Sequence, residues 1–192
     1  NGQCEVAALL LSRGAAVDQA AEGGVTALHV AAMNGQCEVA ALLLSRGAAV
    51  DQATEGGFTA LHWAAGNGHC EVAELLLSRG AAVDQADERG FTALHGAAEN
   101  GQCEVAELLL SRGADSTLRI NDGRTVLELA RSSPSGGAVA ASIEERARVA
   151  EERRAAEERA ERAMAELLLE EEAEGAASGR RGGGGGGGGR TG

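Results

Sequence analysis

Thr59-Ala-Leu-His-Trp-Ala-Ala-Gly-Asn-Gly-His-Cys-Glu-Val-Ala-Glu-Leu-Leu-Leu-Ser-Arg-Gly80 decides the fold of this 192-residue chain. Thr59 to Ala65 reads as a short helix that Thr59 can cap, its hydroxyl accepting from a first-turn N–H. Asn67-Gly68 breaks that helix, because glycine takes turn dihedrals at little cost. Cys70 to Arg79 reads as a second helix: Val72, Leu75 and Leu76 fall at helical spacing and share one apolar face. Arg79 stands in its last turn, where a cation suits the helix dipole, and Gly80 is the stop. From Ala81 to Gly90 a turn-rich excursion leads to the next threonine, Thr92.

The same unit recurs on either side. Asn-Gly stands at Asn1, Asn34, Asn67 and Asn100, 33 residues apart. Residues 1–33 and 34–66 match at 29 of 33 positions, and 34–66 and 67–99 at 27 of 33. The fourth copy holds through Ala114 and then drifts. Isolated helices shorter than about 12–15 residues are marginal in water, so these must stack on their neighbours. Stacking gives an all-α, elongated solenoid held by nearest-neighbour interfaces. The composition agrees: aromatics are 2%, and few bulky side chains other than Leu and Val are available for an ordinary globular core.

The 33-residue period, the Thr-Ala-Leu-His motifs at 26–29, 59–62 and 92–95, and the Gly-Ala-Ala-Val-Asp loops resemble ankyrin repeats. The resemblance covers residues 1–133. The family motif has Pro where this chain has Ala27, Ala60 and Ala93, and its loop commonly has Asn where Asp18, Asp51 and Asp84 stand. In family phase, 1–20 is a partial repeat, 21–53, 54–86 and 87–119 are full repeats, and 120–133 opens a partial C-terminal one. In that last repeat Thr125 and Glu128 form a capping-box pair. Residues 134–142 are a linker or the last repeat's helix, which 138–143 would complete. Helix Cys4–Leu11 carries the internal apolar face and no polar cap, so the sequence reads as a fragment of a longer array. The resemblance also implies a structural role for His29, His62 and His95, each tying a helix start to the neighbouring loop.

Residues 143–174 are almost all Glu, Arg and Ala, strong helix formers. Pairs at i,i+4 (Glu144–Arg148, Arg148–Glu152, Arg153–Glu157, Arg154–Glu158, Glu158–Arg162 and Arg162–Glu166) support one long charged helix. A heptad seam through Val149, Ala156 and Ala163 is thin and broken by Arg153. A solvated single helix and a self-associating coiled coil both fit. Residues 175–192, with Gly182–Gly189, read as a disordered Gly-rich tail.

Charge and chemistry narrow the function. A net charge of -12 with no lysine argues against nucleic acid, whose phosphates need clustered cations. No apolar run approaches a membrane span. Cys4, Cys37, Cys70 and Cys103 occupy one phase, a helix-packing distance of roughly 8–10 Å apart, too far for disulfides and wrongly spaced for zinc. They read as small, partly buried residues of a reducing, intracellular setting, the cytoplasm. No phosphate loop, pocketed carboxylate pair or nucleophile stands out, so no catalytic, metal or cofactor residue is expected.

Differences between copies fall at Ala21/Thr54/Asp87, Gly23/Gly56/Arg89, Val25/Phe58/Phe91, Val30/Trp63/Gly96 and Met33/Gly66/Glu99. By the resemblance these hairpin-tip and first-helix phases line the concave, partner-binding face. Glu22, Glu55 and Glu88 run beside them and make it acidic. The expected protein-binding residues are Glu22, Val25, Met33, Glu55, Phe58, Trp63, Glu88, Arg89, Phe91 and Glu99, suited to a partner segment with basic and apolar residues. Neutral drift after duplication is the competing reading of the same differences. The sequence thus points to a protein–protein scaffold or adaptor. The alternative is the targeting portion of a larger enzyme.

Overall fold

A computed structural model describes the backbone of residues 2–179 and the side chains of residues 2–166. The chain divides into two units, 1–144 and 145–192. The first is built of helix pairs: α1 (Gly2–Ser12), α2 (Ala27–Met33), α3 (Cys37–Ser45), α4 (Ala60–Asn67), α5 (Cys70–Ser78), α6 (Ala93–Asn100), α7 (Cys103–Ser111) and α8 (Val126–Ser132). The last helix, α9 (Gly137–Gly179), begins in this unit and continues into the second.

The core is a set of rows, one residue per repeat. Leu28, Leu61 and Leu94 form one row and Leu43, Leu76 and Leu109 another; all are at most 3% exposed. Between them run Ala31, Ala64 and Ala97, and Ala32, Ala65 and Ala98, none more than 1% exposed. Small alanines let the first helices of successive repeats approach closely, so burial rather than propensity holds these short helices. Each second helix ends in the same motif. In α5 the Gly80 N–H donates to the Leu77 carbonyl and the Ala81 N–H to the Leu76 carbonyl, both at 3.1 Å. This closure needs the left-handed φ of +89° that Gly80 supplies. Arg79 is the capping residue itself rather than part of the last turn.

Each first helix begins in a capping box. For α4, the Thr59 N–H donates to His62 Nδ1 at 3.1 Å and the Thr59 hydroxyl lies 2.8 Å from the same nitrogen. A backbone N–H can only donate, so Nδ1 is the acceptor and Nε2 carries the proton. That proton reaches into the next repeat: His62 Nε2 donates to the Phe91 carbonyl at 2.9 Å, and His29 Nε2 is shared between the Phe58 carbonyl at 3.2 Å and the Gln52 carbonyl of its own repeat's loop at 2.9 Å. His95 is fully buried. Its Nε2 has no partner at hydrogen-bonding geometry, although the Leu118 carbonyl is near enough to raise its basicity. In α8 the box is Thr125 with Glu128, whose carboxylate accepts from the Thr125 N–H at 2.7 Å.

The sequence predicts a short helix at 138–143 and a separate charged helix from 143, but one helix runs through both. No Gly or Pro stands between 138 and 174 to break it. Its first turns bury Val139, Ala140 and Ile143 in the repeat core. In the second unit, residues 145–166 are exposed throughout. Of the predicted i,i+4 pairs, Arg153–Glu157 forms at 3.1 Å. Arg148 reaches back to Glu145 instead, at 2.7 Å, and Glu144 pairs with Arg131 at 2.6 Å. Exposed pairs of this kind are worth so little that packing and rotamer choice decide which form. Helix α9 extends through Gly179, into the stretch expected as a tail; residues 180–192 lie outside the described residues.

Candidate functional site

The hairpins before α4 and α6 set the site. In each, a backbone bond closes the tip: Thr54 N–H to the Phe58 carbonyl and Asp87 N–H to the Phe91 carbonyl, both at 2.9 Å. Neighbouring tips are also tied, Glu55 N–H donating to the Gly23 carbonyl at 2.9 Å. Gly57, at φ +84°, makes room for the next tip in the same way, since a Cβ there would lie 2.9 Å from the Asp87 Cα.

Side chains then brace each tip differently. Thr54 Oγ1 accepts from the Phe58 N–H at 3.1 Å. Asp87, whose side chain is fully buried, accepts from the Arg89 and Phe91 N–H groups at 2.8 Å each and pairs with the Arg89 guanidinium at 3.1 Å. So anchored, the guanidinium lies over two rings at once, 5.5 Å from the centre of Phe58 and 5.2 Å from that of Phe91. Phe58 also meets Trp63, ring centres 5.6 Å apart. The result is one aromatic–cation cluster spanning two repeats.

Beside it lies a pocket of about 280 Å³ lined by Phe58, Trp63, Arg89, Phe91 and Glu99, with Gly66, Gly96, Asn67 and Asn100 completing the wall. A second pocket of about 280 Å³ shares Arg89, Phe91 and Glu99 with it and continues to Ile120, Asp122 and Arg124. A larger hollow of about 550 Å³ lies at the starts of α1 and α3, among Cys4, Cys37, Glu38 and Glu71. It has no aromatic lining to anchor a partner, so the smaller pair carries the functional argument.

Five of the expected binding residues therefore come together: Phe58, Trp63, Arg89, Phe91 and Glu99. Glu22, Glu55 and Glu88 are exposed at the hairpin tips. Val25 and Met33 belong to the preceding repeat and line neither 280 Å³ pocket; Met33 is 40% exposed. Sequence reasoning put the phases of Gly66, Gly96 and Asp87 on this face without naming them as binding residues, and it missed Asn67 and Asn100. A glycine within a helix, at a phase that elsewhere holds Val or Trp, was the available signal.

Burial pushes the three motif histidines below their ordinary value of 6.5; carbonyl bonds and, for His62 and His95, the charge of Asp87 oppose it without prevailing. Burial and then neighbouring glutamates raise the Cys37 and Cys70 thiols, which disfavours the reactive thiolate. All four cysteines are free. Among the described residues no three metal-capable side chains cluster, and no helix is long and apolar enough to cross a membrane.

Stacked helix pairs with outward hairpins and a lined face define a repeat solenoid of the protein-binding class. The family model for ankyrin repeats in three copies matches residues 1–87 and 47–120, and the chain belongs to that family. Ankyrin repeats in general mediate protein–protein interaction. No curated protein matches the chain.

Proposed function

We propose that the array is a protein-binding scaffold or adaptor, and that it takes its partner on the face made by the hairpin tips and first helices. The observation that supports this reading is the gathering of Phe58, Trp63, Arg89 and Phe91 around one pocket. Aromatic and arginine side chains in a partly desolvated cluster are the commonest interface anchors. The exposed Glu55, Glu88 and Glu99 beside them favour a basic and apolar partner segment.

Affinity capture from source lysate tests it, with wild type beside a Phe58→Ala, Trp63→Ala, Phe91→Ala triple variant. Trp63→Val accompanies them, because valine stands at this phase in the preceding repeat as Val30 and is compatible with the frame. Circular dichroism checks that each variant is helical. Proteins captured by wild type and lost from folded variants support the reading; equal capture by all three overturns it.

A further inference from the structure

The pocket owes its existence to two glycines that the fold does not require. Gly66 and Gly96 lie inside α4 and α6, and neither has a positive φ. A Cβ on Gly96 would meet Phe91 Cε1 at 3.5 Å and the Gly66 Cα at 3.7 Å; one on Gly66 would meet Asn100 Nδ2 at 3.7 Å. These are ordinary contacts, so alanine fits both positions and would suit a helix better. The preceding repeats carry Trp63 and Val30 where Gly96 stands, and Met33 where Gly66 stands. Removing those side chains leaves a cavity beside an indole. At about 280 Å³ it is smaller than most small-molecule pockets, roughly 300–1,000 Å³, and sized for a single side chain.

Its wall carries both signs, but the cations nearby are already matched. Arg89 is matched to Asp87 at 3.1 Å and Arg124 to Asp122 at 2.6 Å. Glu99 lines both pockets; its carboxylate makes no ion pair within 4 Å among the described residues and meets the charge of Arg124 only at longer range. Asn67 and Asn100 donate their Nδ2 hydrogens to the Trp63 and Gly96 carbonyls at 2.8 and 3.0 Å, which leaves their Oδ1 atoms as acceptors. The pocket therefore offers an aromatic face, a spare negative charge and acceptor oxygens. A guanidinium answers all three with its plane, its charge and its five donors; a lysine ammonium lacks the plane, and a carboxylate meets Glu99.

We infer that this pocket receives an arginine side chain of the partner segment, stacked on Trp63 and paired with Glu99. The inference rests on the reading of this face as the partner-binding one. Trp63 is the chain's only tryptophan, so its fluorescence reports on this pocket alone. The probes are four Gly/Ser heptapeptides carrying one central arginine, lysine, citrulline or phenylalanine. Expected is a saturable change in Trp63 emission with the arginine peptide, weaker by about two- to fivefold with citrulline, which keeps the plane and loses the charge. Glu99→Gln weakens the arginine peptide to a similar degree, and Gly96→Leu abolishes its binding. Glu99 is exposed, so its variant keeps the test open should Gly96→Leu fail to fold. Equal binding of arginine and citrulline, tightest binding of phenylalanine, an unaffected Glu99→Gln variant, or no saturable change up to about 10 mM overturns the assignment. A protein captured through Trp63 alongside an indifferent arginine peptide overturns the arginine assignment alone. Failure of both capture and peptide overturns the reading beneath it as well.

Discussion

Residues 54–66 and 87–99 are the same thirteen-residue stretch written twice, and they differ at four positions: Thr54/Asp87, Gly56/Arg89, Trp63/Gly96 and Gly66/Glu99. The nine shared residues make the hairpin, the capping box and the buried face of the helix. The four that differ make the site. One copy supplies the indole and one glycine of the wall; the other supplies the braced cation, the second glycine and the spare carboxylate. Neither stretch holds a pocket by itself, because wall and opening come from opposite sides of one seam. A repeat protein can thus acquire a site through a handful of substitutions while its frame stays untouched.

The largest test asks whether the frames really are equivalent. Leu61→Ala and Leu94→Ala, at 2% and 0% exposure, should each cost about 3 kcal/mol in urea unfolding. A clear inequality would break the comparison. A pH scan acts on both copies together. The folded chain holds His29, His62 and His95 below 6.5, so the unfolded chain binds protons first as the pH falls. Stability should be intact above about 6.5 and decline as the pH drops through that value, with the melting temperature as readout. His62→Gln should flatten the slope.

The braces should differ in the direction their chemistry gives. Asp87→Ala strands two backbone donors and a guanidinium and should cost about 2 kcal/mol, whereas Thr54→Ala strands one donor and should cost about 1 kcal/mol. Equal losses would show that the buried carboxylate adds nothing beyond the hydroxyl. The smallest effect has the opposite sign. Gly66→Ala and Gly96→Ala should each stabilise the array by about 0.5–1 kcal/mol, since both fit sterically and alanine is the better helix former. Loss of stability on either change would mean that the glycine serves the frame after all.

Most of the architecture was legible because each residue's phase within 33 positions fixes its environment. Leu61 and Gly80 read the same in all four copies and His62 in three, so one copy explains most of the rest. The site was legible in part. Phe58, Trp63, Arg89, Phe91 and Glu99 stood out as departures with conspicuous side chains. Gly66 and Gly96 were seen to vary, but an absent side chain reads as part of a pocket only when its neighbours from the adjoining repeat are known. Asp87 was seen to vary, but its burial depends on how the hairpin folds over it. The charge pairs of α9 were the least readable: several partners lie within reach of each arginine at nearly equal energy, and Arg148 took Glu145.

The imidazole links described above have a direction. Each donates forward, from one repeat to a carbonyl of the next, as His29 does to Phe58 and His62 to Phe91. The two ends of the array are therefore not equivalent to truncation. Trimming from the N-terminal side removes donors and leaves carbonyls, which tolerate a missing partner comparatively well. Trimming from the C-terminal side leaves an imidazole N–H without its acceptor, the group that more rarely goes unpaired. His95, the last of the series, has no forward link of this geometry. A cut before Phe91, which takes the acceptor from His62, should therefore destabilise what remains more than deleting α1 to α3 would, and the array has a grain along which it can be shortened.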